Sequence, residues 1–431
     1  MDDRVSAVKA AAAEAAIARG LLGHEQAVAG FIDLDGLAVT IADLRRSFPD
    51  HFMHAFAAKA GSLVGLLRLV REAGMACEVA SPGEMQQALE AGFAAEQIVF
   101  DSPAKTRGEI ALALERGMLL NIDNFQELDR VDAVMQARRG SRSVIGLRIN
   151  PQVGVGTIAA MSTATRTSKF GIALEDDDNR TRVVAAYRDR PWLTALHVHV
   201  GSQGCPLELI GAGVGKSVAL AQEINERLGY RQIATVDIGG GLPVNFESDE
   251  FRPSFTDYAA TLSAAAPALF TGEFRVITEF GRSVLAKNGF LIGRVEYTKV
   301  TGGRHIAITH LGAQVATRTV FMPELWTLRV SALDPQGRPK TAPNVEQDIA
   351  GPCCFAGDII AHGRNMPLVE PGDWVLAHDT GAYYFSTPFV YNSLPRVGVH
   401  GFSRSAAGLQ FRTIRRPETI AEVVAASAAC D

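Results

Sequence analysis

Lys59 closes the run FAAKA, an amine in apolar company, and an amine stripped of water there has a lowered pKa and attacks an aldehyde more readily. Such a lysine could equally be a plain solvated charge, so the reading depends on its company. The run DIGGGLP from Asp237 to Pro243 leaves the backbone N–H groups of Gly239, Gly240 and Gly241 unobstructed, as a phosphate requires, although a glycine triplet also serves as a tight turn. His197 and His199 stand two apart, which on a strand puts both rings on one face, and Ser202 follows in a GSQ run. Two histidines suggest a metal, but no third ligand of suitable spacing is near; one ring stacked on a planar cofactor and the other in the core is the preferred reading. Glu279 and Arg282 bring a carboxylate able to keep a ring nitrogen protonated and a guanidinium suited to a phosphate, or else they form a local ion pair.

These groups must be held at the ends of regular elements. From about residue 52 to 282 short β-rich runs alternate with helical stretches, as parallel βα units require. Eight candidate strands end at or near Lys59, Ala80, Ser102, Asp123, Asn150, Ser202, Gly241 and Arg282. Eight units in that length predict an α/β fold with a closed (β/α)₈ TIM-type barrel, and Lys59, Glu78, Arg148, His199, Ser202, the glycines and Glu279 gather at its C-terminal ends, where barrel enzymes place their chemistry. After residue 290 the rhythm changes to short, turn-separated β runs, which predicts an all-β C-terminal domain. The expected division is an N-terminal helix and extension over 1–30, the barrel over 31–283 and the β domain over 284–431.

The chain has 431 residues, 47% hydrophobic and 21% charged, enough for a barrel and a second core. A formal net charge of −5 gives no reason to expect nucleic acid or an anionic membrane as partner, and a small-molecule substrate fits better. The Ala-rich start carries Arg4, Lys9, Glu14 and Arg19 through its apolar stretch, so it predicts an amphipathic helix on a cytoplasmic protein rather than a signal peptide or membrane span. Cys77, Cys205, Cys353, Cys354 and Cys430 are odd in number and lack zinc-site spacing; free thiols are expected.

Taken in order, FAAKA at Lys59, SKFGI from Ser168, HVHVGSQ from His197, DIGGGLP from Asp237, EFGR from Glu279, GPCC from Gly351 with Asp358, and GAY ending at Tyr383 resemble the fold-type III pyridoxal phosphate decarboxylases. That group includes diaminopimelate, ornithine and arginine decarboxylases and is related to alanine racemase; the resemblance runs from about Phe31 to Asn392. It implies pyridoxal 5′-phosphate as cofactor, carried as an imine on Lys59, stacked on by His199 and paired through its ring nitrogen with Glu279. It further implies that Ser202, Gly239, Gly240, Gly241, Arg282 and Tyr383 surround the phosphate. The implied assembly is a homodimer with shared active sites, where Cys354 reaches across the two-fold interface to protonate the α-carbon, and Cys353 fills a variable neighbouring position.

Departures from the family pattern bear on the substrate. The position after the family cysteine is normally acidic and reads a distal ammonium, yet Phe355 stands there. The family's Arg-Pro-x-Leu-Tyr run, which grips the distal end of diaminopimelate, is matched to Met322-Pro323-Glu324-Leu325-Trp326, without its arginine and tyrosine. The expectation is decarboxylation of an amino acid that is neither diaminopimelate nor ornithine, with Arg148, Met322, Trp326 and Phe355 as substrate-side candidates. Those apolar residues could be packing alone, and Glu324 or Arg318 could supply the missing charge from another direction. Phe280 replaces the family proline in EFGR, while the charged pair survives. Two alternatives stay open: an amino-acid racemase or epimerase, which needs a second base opposite Lys59, and a cofactor-binding regulatory relative without turnover. Retention of Lys59, His199, Glu279 and Cys354 speaks against the latter.

Overall fold

The computed structural model describes residues 4–138 and 140–428 and divides into two compact units. One comprises Thr40–Val244 and Arg252–Val284; the other comprises the chain up to Val39, the short segment Asn245–Phe251 and everything from Leu285 onward. The boundaries expected from sequence, at 30/31 and 283/284, do not separate the segment at 245.

The first unit is a closed barrel of eight parallel strands, Phe52–Ala57, Ala76–Val79, Ile98–Asp101, Leu119–Ile122, Ile145–Asn150, Leu193–His197, Thr235–Asp237 and Arg275–Phe280. Each pairs in parallel with the next, and the eighth closes on the first through Val276 opposite Phe52. The second, third, fourth and fifth strands are buried along their whole length, as expected where helices cover one face of a parallel sheet and side chains fill the other. The intervening helices follow from local signals. Arg107–Arg116 starts at a Thr106/Glu109 capping box and turns Ile110, Ala113 and Leu114 inward, three and four residues apart.

The second unit is built on a mixed nine-stranded sheet. Its early strand Val28–Asp33 lies between Gly289–Thr301, antiparallel, and Gly398–Ser405, parallel. Phe31 is fully buried and stacks on Phe290 at 5.5 Å; burying one such ring contributes about 2 kcal/mol. The N-terminal helix Ala7–Ala18 presses Ala12, Ala13 and Ala16 into the same cluster, small side chains that let its backbone approach Ile292, Leu376 and Trp374. The β rhythm is interrupted by the helices Ala313–Phe321 and Ile420–Ser427, which the all-β expectation does not include. Among the described residues no helix is long and apolar enough to cross a membrane. Cys77, Cys205, Cys353 and Cys354 are free thiols, and Cys430 lies outside the described residues.

Candidate active site

Inside the barrel Ala55, Ala76, Val99, Leu119 and Ile277 form one apolar layer contributed by neighbouring strands. Side chains two residues further along a strand point to the same face, so the next layer toward the C-terminal ends consists of Glu78, Asp101, Asn121 and Glu279. All four are buried, and so are Arg148, His197 and Asp237 at the ends of their strands. Such a polar layer persists only if its charges meet. Arg148 Nη1 donates to Asp101 Oδ2 at 2.9 Å, and Asn121 Nδ2 donates to Asp237 Oδ2 at 2.9 Å. The His197 ring lies between the two acids, Nδ1 at 3.3 Å from Asp237 and Nε2 at 3.5 Å from Asp101. Burial favours a neutral His197, yet the charges of Asp237 and Asp101 prevail and raise its pKa to about 10.

Lys59 sits in a 3₁₀ turn directly after the first strand, and its Nζ donates to Glu78 Oε2 at 2.6 Å. The apolar, desolvated setting expected for this amine is not found. Its side chain is 44% exposed, and the desolvated group is Glu78, whose carboxyl burial raises to about pKa 7 against the opposing pull of Lys59. The signal was present in the sequence, since Glu78 ends the neighbouring strand and Ala57 pairs with it. His199 accepts the Gly240 N–H on Nδ1 at 3.1 Å, which fixes that nitrogen as a lone pair, while burial and then the charges of Arg148 and Lys59 keep the ring neutral. The two histidines, equivalent by spacing, are thus one cation and one neutral ring.

The glycine run is a backbone cradle. A Cβ on Gly240 would stand 2.1 Å from the Glu279 carbonyl oxygen, and one on Gly241, at φ +104°, would stand 2.2 Å from that of Gly201. The tight-turn and phosphate-loop readings therefore coincide, with Ser202 beside the loop and the buried Arg282 opening the turn after Phe280. Gly241→Ala is expected to cost about 2–3 kcal/mol and to weaken cofactor uptake at least tenfold, read by thermal unfolding and by titrating apoprotein. Unchanged affinity would remove the loop from the site.

The β unit holds the other residues singled out. Cys354 is exposed, with its backbone N–H bonded to Asn392 Oδ1 at 2.7 Å, whereas Cys353 is buried and its thiol is pushed up to about 11. Phe355 stacks on Phe321 at 5.6 Å and meets Tyr391 edge-on at 5.4 Å; it belongs to an aromatic cluster that Phe389 completes. Met322 is exposed, while Trp326 is buried against Phe246. Of the two residues that could supply the missing charge, Arg318 stands one helical turn before Met322. Its guanidinium lies 4.3 Å from the centre of the Tyr383 ring and 5.2 Å from that of Trp326, and its Nη1 is buried without a hydrogen bond. An arginine flanked by rings with a donor unspent is prepared for a carboxylate or phosphate.

The barrel residues fit the expected cofactor. Glu279 Oε1 is buried and unbonded, an acceptor awaiting a donor such as a protonated ring nitrogen, and the glycine backbone admits a phosphate but no side chain. A metal fits less well. Asp101, His197 and Glu279 do bring ligand atoms within 4.8 Å of one another, the third ligand that spacing along the chain did not reveal. However, Asp101 is taken by Arg148, and both ring nitrogens of His197 face acids that hold them protonated.

Residues 35–286 match the pyridoxal-binding domain of the pyridoxal-dependent decarboxylases. The chain belongs to that family and is a pyridoxal-phosphate-dependent carboxy-lyase acting on an amino acid. It is 33% identical, over 90% of its length and 88% of the relative's, to diaminopimelate decarboxylase of Pseudomonas fluorescens, and 29% identical, over 82% and 81%, to that of Aquifex aeolicus. It superposes on a mutant diaminopimelate decarboxylase from Helicobacter pylori complexed with L-lysine, with a TM-score of 0.83 at 25% identity, covering 95% of this chain and 98% of the other.

These relatives overturn the exclusion of diaminopimelate, and the β unit shows why that exclusion was unsafe. Phe355 is spent on ring packing, so its apolar nature says little about a substrate. One turn before Met322, which caps the helix Ala313–Phe321, the guanidinium of Arg318 lies beside Tyr383, so a cation is present near the position judged to lack one. Arg148, named as a substrate-side candidate, is paired with Asp101 in the barrel and covered by Phe170 at 4.4 Å. The racemase, epimerase and turnover-free alternatives give way to the carboxy-lyase.

Proposed function

We propose that this enzyme removes one carboxylate from diaminopimelate and works as a homodimer with shared sites. The observation that carries the substrate is Arg318, a ring-flanked guanidinium with an unspent buried donor, in a chain one-third identical to a diaminopimelate decarboxylase. Diaminopimelate has a second carboxylate at its distal end, and Arg318 is the group suited to read it.

When bound, pyridoxal phosphate supplies an aldehyde for the substrate amine and an electron-poor ring that accepts the electron pair left by CO₂. Lys59 is the attachment point, and Glu78, 2.6 Å from its Nζ, takes or returns the amine's proton as substrate enters and product leaves. His199 would offer a neutral ring to the cofactor, and Glu279 would keep its ring nitrogen protonated. Ser202, Gly239, Gly240, Gly241 and Arg282 would hold its phosphate, and the family resemblance implies Tyr383 for the same role. The Cα–carboxylate bond breaks, CO₂ departs, and the Cys354 thiol returns a proton to Cα and is itself reprotonated from water.

The exposed aromatic cluster around Phe355, with Phe321, Val390 and Tyr391 on the surface, supports a second copy as the occupant of that face. Release of CO₂ from diaminopimelate, and not from amino acids lacking a distal carboxylate, tests the substrate; no release from diaminopimelate would sink it. Sharing of sites has its own test. Lys59→Ala and Cys354→Ala proteins, each nearly inactive, should regain about a quarter of wild-type activity when mixed and reassorted, because half the dimers then carry one intact site of two. No regain on mixing means that each copy works alone.

A further inference from the structure

His197 has no place in the chemistry derived so far, yet it is a fully buried ring facing two acids inside the barrel. Its ring faces Asp101 from the third strand, itself bonded to Arg148 from the fifth, and Asp237 from the seventh, itself held by Asn121 from the fourth and by the Gly239 N–H at 3.0 Å. Glu279 from the eighth strand completes the group, with ligand atoms of Asp101, His197 and Glu279 all within 4.8 Å. Glu78 and Asp101 add negative potential at Glu279, while Lys59 and His199 lie further along the same end of the barrel.

Charge balance identifies what the ring does. With a neutral side chain at 197, the buried Asp101, Asp237 and Glu279 would be left with Arg148, which also faces Asp123 at 3.9 Å, and with Lys105, whose charge acts on Asp101, and one of the carboxylates would take up a proton. Asp101 is held ionised by Arg148, and Asp237 accepts from Asn121 and from the Gly239 N–H. Glu279 has an unbonded buried oxygen, and burial together with Asp237 already pushes its carboxyl well above the ordinary range, against which His197 is the opposing charge. Glu279 is therefore the acid that would be neutralised first.

We propose that His197 is a positioning residue whose cationic ring, lying between Asp101 and Asp237, opposes protonation of Glu279 so that Glu279 can hold the cofactor's ring nitrogen protonated. The inference rests on the proposed place of Glu279 beside that nitrogen. It assigns different duties to two histidines of one short motif: His199 meets the cofactor and His197 acts only through Glu279.

The test compares apoprotein affinity for pyridoxal phosphate with that for its 1-deaza analogue, in which CH replaces the ring nitrogen, so the ratio of the two dissociation constants reads the nitrogen contact alone. Wild-type protein should favour the natural cofactor by on the order of tenfold to a hundredfold, the worth of one charge-assisted hydrogen bond. His197→Gln and Glu279→Gln should each shrink that ratio to about threefold or less, whereas a merely structural loss would weaken both ligands together and leave it unchanged. An unchanged ratio in Glu279→Gln would remove the reading of Glu279 and the inference with it. A ratio that collapses in Glu279→Gln but survives in His197→Gln would overturn the role of His197 while keeping that of Glu279. Should His197→Gln fail to fold, wild-type protein carrying ¹⁵N-histidine decides. At about pH 8, where ordinary histidines are neutral, it should show a ring protonated on both nitrogens, and a spectrum of neutral rings alone would overturn the proposal.

Discussion

Lys59→Ala protein is expected to stay folded, to lose the absorbance band of lysine-bound cofactor, and to release CO₂ at least about a thousandfold more slowly than wild type. The fold should survive because the side chain is nearly half exposed and its ion pair with Glu78 can be lost without leaving a bare buried charge. That carboxyl is raised to about pKa 7 even with the ammonium beside it, so without Lys59 it takes up a proton rather than remaining a buried bare charge. Activity should not survive, because no other amine at the described strand ends stands in that place. Lys105 is buried and committed to the Ser102 and Asn121 carbonyls, each at 2.6 Å. Borohydride treatment followed by peptide mapping checks the point directly: the reduced adduct should fall on the Lys59 peptide in wild type and be missing in the variant. An adduct on another lysine, with activity retained, would displace Lys59 from its role.

Arg318→Met should reduce affinity for diaminopimelate by about a hundredfold or more, while affinity for lysine, which lacks the second carboxylate, changes by less than about threefold. The asymmetry follows from what the guanidinium does. Its face is occupied by Tyr383 and Trp326, and methionine fills much of that space, so packing is largely kept while a directed donor is lost. Arg318→Lys should recover a minor part of the loss, because an ammonium restores charge but not the planar fork. Both affinities can be read from the absorbance change of the bound cofactor. Equal weakening of the two ligands would mean that Arg318 only supports the helix Ala313–Phe321, and the distal carboxylate would need another partner.

The barrel was legible because its signals are local and repeated. Eight apolar runs with polar residues at their ends admit few arrangements once helices separate them, and the structure closes those runs into one ring. The polar layer was half legible. Lys59, His199 and Glu279 stand out by type and motif, whereas Asp101 and Asn121 do not, although each stands near the end of its strand two places past an apolar floor residue, and Asp237 opens the glycine motif without showing a role of its own. Which acid meets which base across the barrel is a fact of closure; no spacing along the chain records that Asn121 touches Asp237. Aligning the motif on Pro323 puts Met322 where the family has its arginine, while helical periodicity puts Arg318, the proposed distal anchor, one turn away from Met322. The passage of Asn245–Phe251 into the β unit leaves no compositional trace, since Asp249 contacts Lys9 and Arg329, residues distant from it in sequence.

The strand Val28–Asp33 has a consequence for biogenesis. Ala29 pairs with Ile292 on one side and Gly398 on the other, so a chain emerging from the ribosome presents this apolar segment long before either neighbour exists. The barrel can close as soon as Phe280 is out, but the strand Val28–Asp33 must wait with both edges bare until Gly289–Gly293 follows, and with one edge bare until Gly398–Phe402 is made. Nascent chains stalled after the barrel should accordingly engage chaperones through their opening residues, and prematurely terminated products should be prone to associate there rather than to accumulate as a tidy half-protein.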